Sequence, residues 1–156
     1  MEEFHQALED AHRSIRIADH LISVTYPMVG DKKLFISILR NIFNAFKCCV
    51  DALVFYDEKR GSPLSAGGRA SFEERLSLFS INLTARYNIS PAFAKLINEI
   101  REILLEHRKS PVEFVRHNRV IICSESYKLR VLSEAQLKEY IRRARELMQT
   151  IARCVT

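Results

Sequence analysis

Apolar residues recur at spacings of three and four from the start of the chain. Phe4, Leu8, Ala11, Ile15, Ala18 and Ile22 form one stripe, which predicts an amphipathic helix over about residues 2–25. Tyr26-Pro27 to Gly30 then reads as a break, and Asp31 as the N-cap of the next helix. That second helix, over about residues 31–57, is apolar nearly all round. Leu34, Phe35, Ile38, Leu39, Ile42, Phe43, Phe46, Cys49, Val50, Leu53 and Val54 leave Asn41, Asn44 and Asp51 as polar exceptions. A helix of this kind is central in a bundle or forms an oligomer interface.

Residues 58–70 carry three of the four glycines and one proline, the composition of a loop. Ser71-Phe72-Glu73-Glu74 is a capping box that opens a third helix, with Phe72, Leu76, Phe79 and Leu83 inward. Ser90-Pro91 opens a fourth, whose stripe is Phe93, Ile97, Ile100 and Leu104. Ser110-Pro111 ends it, and the period changes. Val112–Arg116 and Arg119–Cys123 are short β-prone runs flanking His117-Asn118, which predicts a hairpin. Alternation around Tyr127, Leu129 and Val131 allows a third strand. Ser133-Glu134-Ala135-Gln136 is a second capping box. The last helix points Leu137, Ile141, Ala144, Met148 and Ile151 inward. The expected fold is all-α: an up-down bundle of about five helices, with a small β-hairpin inserted before the C-terminal helix, forming a single domain over residues 1–156.

Composition agrees with this. The chain has 156 residues, 47% apolar and 28% charged, with only four Gly and four Pro to make turns. A chain of this length buries enough surface to fold without staples. Met1-Glu2-Glu3 opens without a basic region or an apolar run, so no targeting segment is expected. The most apolar stretch, Leu34–Tyr56, is interrupted by Arg40, Lys47 and Asp51, so no membrane span is expected either. Cys48, Cys49, Cys123 and Cys154 contain no CxxC pair. They read as reduced thiols of a cytoplasmic protein, with neither metal nor cofactor expected.

The net charge is +5, and most of it is concentrated. Arg108, Lys109, Arg116, Arg119, Lys128 and Arg130 face only Glu113 and Glu125 between residues 108 and 130. With Phe114 and Tyr127 nearby, this segment has the residue types that contact phosphates and stack a base, which makes those six cations candidate nucleic-acid ligands. Solvated charges that protect an edge strand are the plainer reading. Arg142, Arg143 and Arg145 of the last helix do not line one face.

Motifs for nucleotide hydrolysis, zinc proteolysis and α/β-hydrolase chemistry are absent. One spacing remains. Arg101-Glu102 is followed by His107, with five residues between Arg101 and His107. An imidazole titrates near neutral pH and suits acid–base work, and a guanidinium fork suits a phosphate. Arg13 and His20 repeat the spacing with six residues between. On a continuous helix Arg101 and His107 stand about 120° and about 9 Å apart, so a shared site needs a helix end near Leu105 or a second protomer. Otherwise His107 extends the stripe 93, 97, 100, 104 and favours the helix C-terminus electrostatically.

The Arg-polar-x-His pattern, late in a small helical bundle, resembles the HEPN superfamily, and His107–Arg116 is similar to segments of small archaeal proteins. The resemblance implies a metal-independent ribonuclease working as a homodimer. Arg101 would hold the scissile phosphate and His107 would act as base or acid, leaving a 2′,3′-cyclic phosphate. Glu102 departs from the Asn, Asp or His commoner there. A toxin–antitoxin or defence role with a nucleotidyltransferase-type antitoxin as partner follows from the same resemblance. Two other readings stand beside it: a non-catalytic module that binds RNA, ribosome or a protein through its basic surface, and a structural dimer built on the second helix.

Overall fold

The computed structural model describes residues 2–61, 71–109, 112–116, 119–123 and 129–155, and within 109–131 the description is of the backbone path. Five helical segments and one small sheet make up the described chain. Helix α1 runs over residues 3–29, α2 over Leu34–Lys59, α3 over residues 72–86, α4 over Ala92–Lys109 and α5 over Glu134–Cys154. Strands β1 (Val112–Arg116), β2 (Arg119–Cys123) and β3 (Leu129–Ser133) lie between α4 and α5 as an antiparallel sheet of order β1-β2-β3. The all-α bundle expected from periodicity is the fold of this protein.

Helix α1 does not stop at Tyr26-Pro27. It passes from regular helix (Glu3–His20) through a widened turn (Leu21–Thr25) and back to regular helix (Tyr26–Val29). The Tyr26 amide bonds the Leu21 carbonyl, five residues back. Pro27 has no amide to give, and its ring would press on the carbonyl one turn before it. Widening that turn lets the helix absorb the proline rather than end there. The helix ends at Gly30 instead, which adopts φ 71° and returns its amide to Tyr26 at 2.7 Å. Asp31 then works one step earlier than expected. Its side chain accepts from the Lys33 amide at 2.9 Å, in the turn that leads into α2, while the helix itself starts at Leu34.

Helix α3 has a similar widened turn at Phe79–Leu83, after which Asn88 takes a left-handed conformation and Ile89 returns its amide to Thr84 at 2.8 Å. The capping serines act as the sequence predicts. Ser71 accepts from Glu74 and Ser133 from Gln136, each at 3.2 Å, and Ser90 accepts from Ala92 at 3.3 Å.

Helix α2 is apolar all round because it is central. Phe35, Ile38, Leu39, Ile42, Phe46 and Leu53 are fully buried against the other helices, and each such side chain contributes about 1.5–3 kcal/mol by leaving water. Helix α1 packs against it antiparallel: Phe4 meets Tyr56 and Tyr26 meets Phe35. Helix α3 departs from strict up-down alternation. Phe43–Phe72, Asp51–Arg75 and Asp57–Arg86 are successive contacts that rise together along both helices, so α2 and α3 are parallel. From the end of α2 to the level at which Phe72 meets it, the chain has come back about 24 Å. The connection from Arg60 to Ser71 is long enough to make that return. Arg101 of α4 reaches Glu73 in the first turn of α3, and Arg145 of α5 reaches Asp19 of α1.

The polar exceptions of α2 each have a partner within the protein. Asn44 donates to Ser14 at 2.6 Å, Asn41 to the Ser37 carbonyl at 2.9 Å, and Asp51 accepts from Arg75 at 2.6 Å. No described helix is long and apolar enough to cross a membrane.

Candidate functional site

Arg101 and His107 both lie on α4, and both are half-buried. The helix is continuous through Lys109, so no helix end near Leu105 brings the two together. They stand about 120° apart around the axis and about 9 Å along it. The Arg101 guanidinium is engaged: Nη1 donates to Glu73 of α3. Its Nε is buried without a hydrogen bond among the described residues. Glu73 therefore reaches across to α4 from the first turn of α3. Glu102 is exposed and lines the groove between α4 and α5. The second spacing is scattered as well: Arg13 and His20 are exposed on α1, and Arg13 pairs with Asp10 at 3.4 Å.

The basic segment is brought together in part. Arg108 is exposed in the last turn of α4, and Lys109 is the final residue of that helix. In the sheet, Arg116 and Arg119 occupy directly opposed register positions at the closed end of the β1–β2 hairpin. Arg130 pairs in register with Ile122 on the other side of β2, three positions from that end. Lys128, with its neighbour Tyr127, lies outside the described residues.

Two features go beyond what the sequence predicts. The first is a buried ionic cluster at the far end of α2. Asp57, only 2% exposed, accepts from Arg86 Nη1 at 2.6 Å and from the Tyr87 hydroxyl at 2.8 Å. Burial, then the hydrogen bond to Asp57, pushes the Tyr87 phenol up to about 12. Asp57 lies at the polar end of an apolar helix, where a solvated residue is the ordinary expectation, so no local signal marks it.

The second is a groove of about 500 Å³ between α1 and α5, with Asp19 and Ser23 on one wall and Lys138, Arg142 and Arg145 on the other. A signal for it exists in the sequence, because residues 138, 142 and 145 recur at four and three. Arg143 obscures it. That residue stacks on Phe93 of α4 at 4.6 Å and pairs with Glu146 at 3.2 Å; it lines the α4–α5 groove, whereas Arg142 and Arg145 line the α1–α5 groove.

Among the described side chains, Cys48, Cys49 and Cys154 offer little nucleophilic chemistry. Burial, with Asp51 and Asp10 adding to it, raises the Cys48 thiol to about 11, and burial raises Cys49 and Cys154 too. A thiol held protonated is a poor nucleophile and a poor ligand. Among the described residues no group of three His, Cys, Asp or Glu side chains converges on a metal position. Comparison of the chain with family profiles, with curated proteins and with solved structures finds no match.

Proposed function

We propose that this protein is an RNA-directed helical module that binds the phosphate backbone through the basic segment around its sheet and, as a single chain, does not cleave. The observation that carries the reading is the charge of residues 108–130: six cations against two carboxylates, with Arg116 and Arg119 at opposed register positions. Phosphate contacts of this kind supply sequence-independent affinity and make it fall steeply with salt. The resemblance to the HEPN superfamily supports RNA as the polyanion. The separation of Arg101 from His107, with Arg101 engaged by Glu73, favours binding over catalysis.

The test is one RNA pool in two assays. Binding of a labelled mixed-sequence RNA is measured by anisotropy for wild type and for Arg116→Glu/Arg119→Glu, with circular dichroism to confirm folding. The expected result is a loss of affinity of about tenfold or more and a salt dependence shallower by about two phosphate contacts. The same pool is incubated in EDTA with wild type and His107→Ala, and no cleavage is expected from either. Unchanged affinity in the double variant rejects the basic segment as the site. Cleavage by wild type alone, leaving 2′,3′-cyclic ends, replaces the binding module with a ribonuclease whose site is completed by a second chain.

A further inference from the structure

Helix α2 is buried over most of its circumference, but one polar strip remains. Lys33, at its N-cap, and Ser37, Arg40, Asn44 and Lys47 lie within about 80° of one another around the axis and span about 21 Å. Lys33, Arg40 and Asn44 are exposed, and Ser37 and Lys47 are half-buried. Helix α1 flanks the strip on one side, where Asn44 donates to Ser14 at 2.6 Å. Helix α3 flanks it on the other, where the Lys47 ammonium lies 5.8 Å from the centre of the Phe72 ring. Every side chain of the strip can donate a hydrogen bond, and none is a carboxylate.

The positive charge of this strip is not cancelled. Between Asp31 and Asp51 the chain carries Lys32, Lys33, Arg40 and Lys47 and no carboxylate. Among the described residues, Lys33, Arg40 and Lys47 form no ion pair. The carboxylates at the flanks are mostly occupied: Asp51 holds Arg75 at 2.6 Å, Asp10 meets Arg13 at 3.4 Å, and Glu73 is engaged by Arg101. Asp31 and Glu74 are left against three cations. Six cations against two carboxylates in residues 108–130, with four against none in residues 32–47, exceed the net +5 of the whole chain. The remaining residues together are therefore net negative, and the positive charge belongs to these two segments.

The fold brings the two segments to one end of the bundle. Arg86, at the end of α3, meets Asp57 near the end of α2, and α4 starts only five residues later. Helix α4 then reaches Glu73, in the first turn of α3, at Arg101, and Phe72 beside it packs on Phe43 of α2. Thus α4 runs back toward the start of α2, and its last residues, Arg108 and Lys109, close it at the end where Lys33 and Arg40 lie.

From this we propose that the polar strip of α2 is a second phosphate-binding surface for the RNA held by the basic segment, with Lys33, Arg40 and Lys47 on the backbone phosphates. It rests on the RNA-binding reading. A phosphate has no carboxylate to displace from these three cations, and it takes charge-assisted hydrogen bonds from them.

The experiment measures anisotropy of a fluorescein-labelled mixed-sequence RNA over a salt series with full-length wild type, Lys33→Gln/Arg40→Gln and Arg60→Gln/Lys95→Gln. The last variant removes the same charge from two exposed cations at the opposite end of the bundle, which form no ion pair among the described residues. All three proteins must show the same far-ultraviolet circular dichroism. The strip variant is expected to lose about two phosphate contacts from the salt slope and on the order of tenfold in affinity at low salt, and the control to keep the wild-type slope. Wild-type binding with an unchanged slope in the strip variant overturns the proposal and leaves the sheet segment as the site. An equal loss in the control also overturns it, because the effect is then one of net charge. No binding by wild type overturns the strip together with the reading beneath it. If the strip variant fails to fold, Arg40→Gln alone is expected to lower the slope by about one contact, and an unchanged slope rejects the strip.

Discussion

Replacing Asp57 by alanine removes a side chain that ties the end of α2 to the end of α3. The carboxylate is 2% exposed and accepts hydrogen bonds from Arg86 at 2.6 Å and from Tyr87 at 2.8 Å. Bonds to a charged acceptor contribute about 1.5–3 kcal/mol each, and stranding one member of a fully buried pair costs about 3–5 kcal/mol. Arg86 is not fully buried. Its side chain is 37% exposed, so on losing Asp57 it recovers much of its hydration, and the Arg86 contribution is discounted accordingly. The net cost is therefore about 2–3 kcal/mol, which for a chain of this size lowers Tm by about 4–12 °C. Urea unfolding followed by circular dichroism measures it. A double-mutant cycle with Arg86→Ala and Tyr87→Phe apportions it. Because the three side chains form one network, the single changes are expected to sum to more than the combined loss. A cost below about 0.5 kcal/mol, or strict additivity of Asp57→Ala with both partners, would refute the network.

Two further outcomes follow from the same chemistry. Tyr87 has its phenol raised to about 12 by burial and by Asp57, against about 10 for an unfolded tyrosine. Its neutral form is favoured in the folded state, so its contribution is fully present below about pH 10 and is lost between about 10 and 12. Ultraviolet tyrosinate titration is expected to show a late-ionising component that Tyr87→Phe diminishes by one group, and an undiminished component in that variant rejects the assignment. At Gly30, φ is 71° and the space that an alanine methyl would fill is open, so Gly30→Ala is expected to destabilise through backbone strain alone, by about 1–2 kcal/mol, and urea unfolding with no loss contradicts the left-handed cap.

Sequence is most legible where local chemistry acts alone. The capping serines, the β-prone runs at 112–116 and 119–123 and the inward stripes all depend on residues close to each other in the chain. What is not legible depends on the partner. Pro27 signals a helix end in any isolated segment. Here Tyr26 packs on Phe35 and Ile22 is buried, which holds α1 in register through the proline at the expense of one widened turn. The parallel run of α2 and α3 is set by contacts far apart in sequence, Asp51–Arg75 and Asp57–Arg86. No periodicity contains them. Of the candidate site, residue types and spacing are open to direct reading, but convergence is not: Arg101 and His107 share a helix and not a face, and the partner of Arg101, Glu73, belongs to another element.

The distribution of polar and apolar groups narrows where function can reside. The apolar surface of α2 is largely turned inside the bundle, so it is not free to form the oligomer interface that its composition permitted. Its Asn44, Asp51 and Asp57 are engaged as well, by Ser14, Arg75, Arg86 and Tyr87. A residue that satisfies a buried neighbour cannot serve a ligand without exposing that neighbour, and such exposure costs on the order of 1–3 kcal/mol. Recognition with little energetic penalty must therefore use groups that are exposed or held only by exposed pairs. Among the described cations, Arg16, Arg40, Lys95 and Arg108 are exposed, and Lys138, Arg142 and Arg145 are held by carboxylates that are themselves partly exposed. Among the described residues, charge on the periphery of the bundle is thus reached by a ligand at little energetic cost.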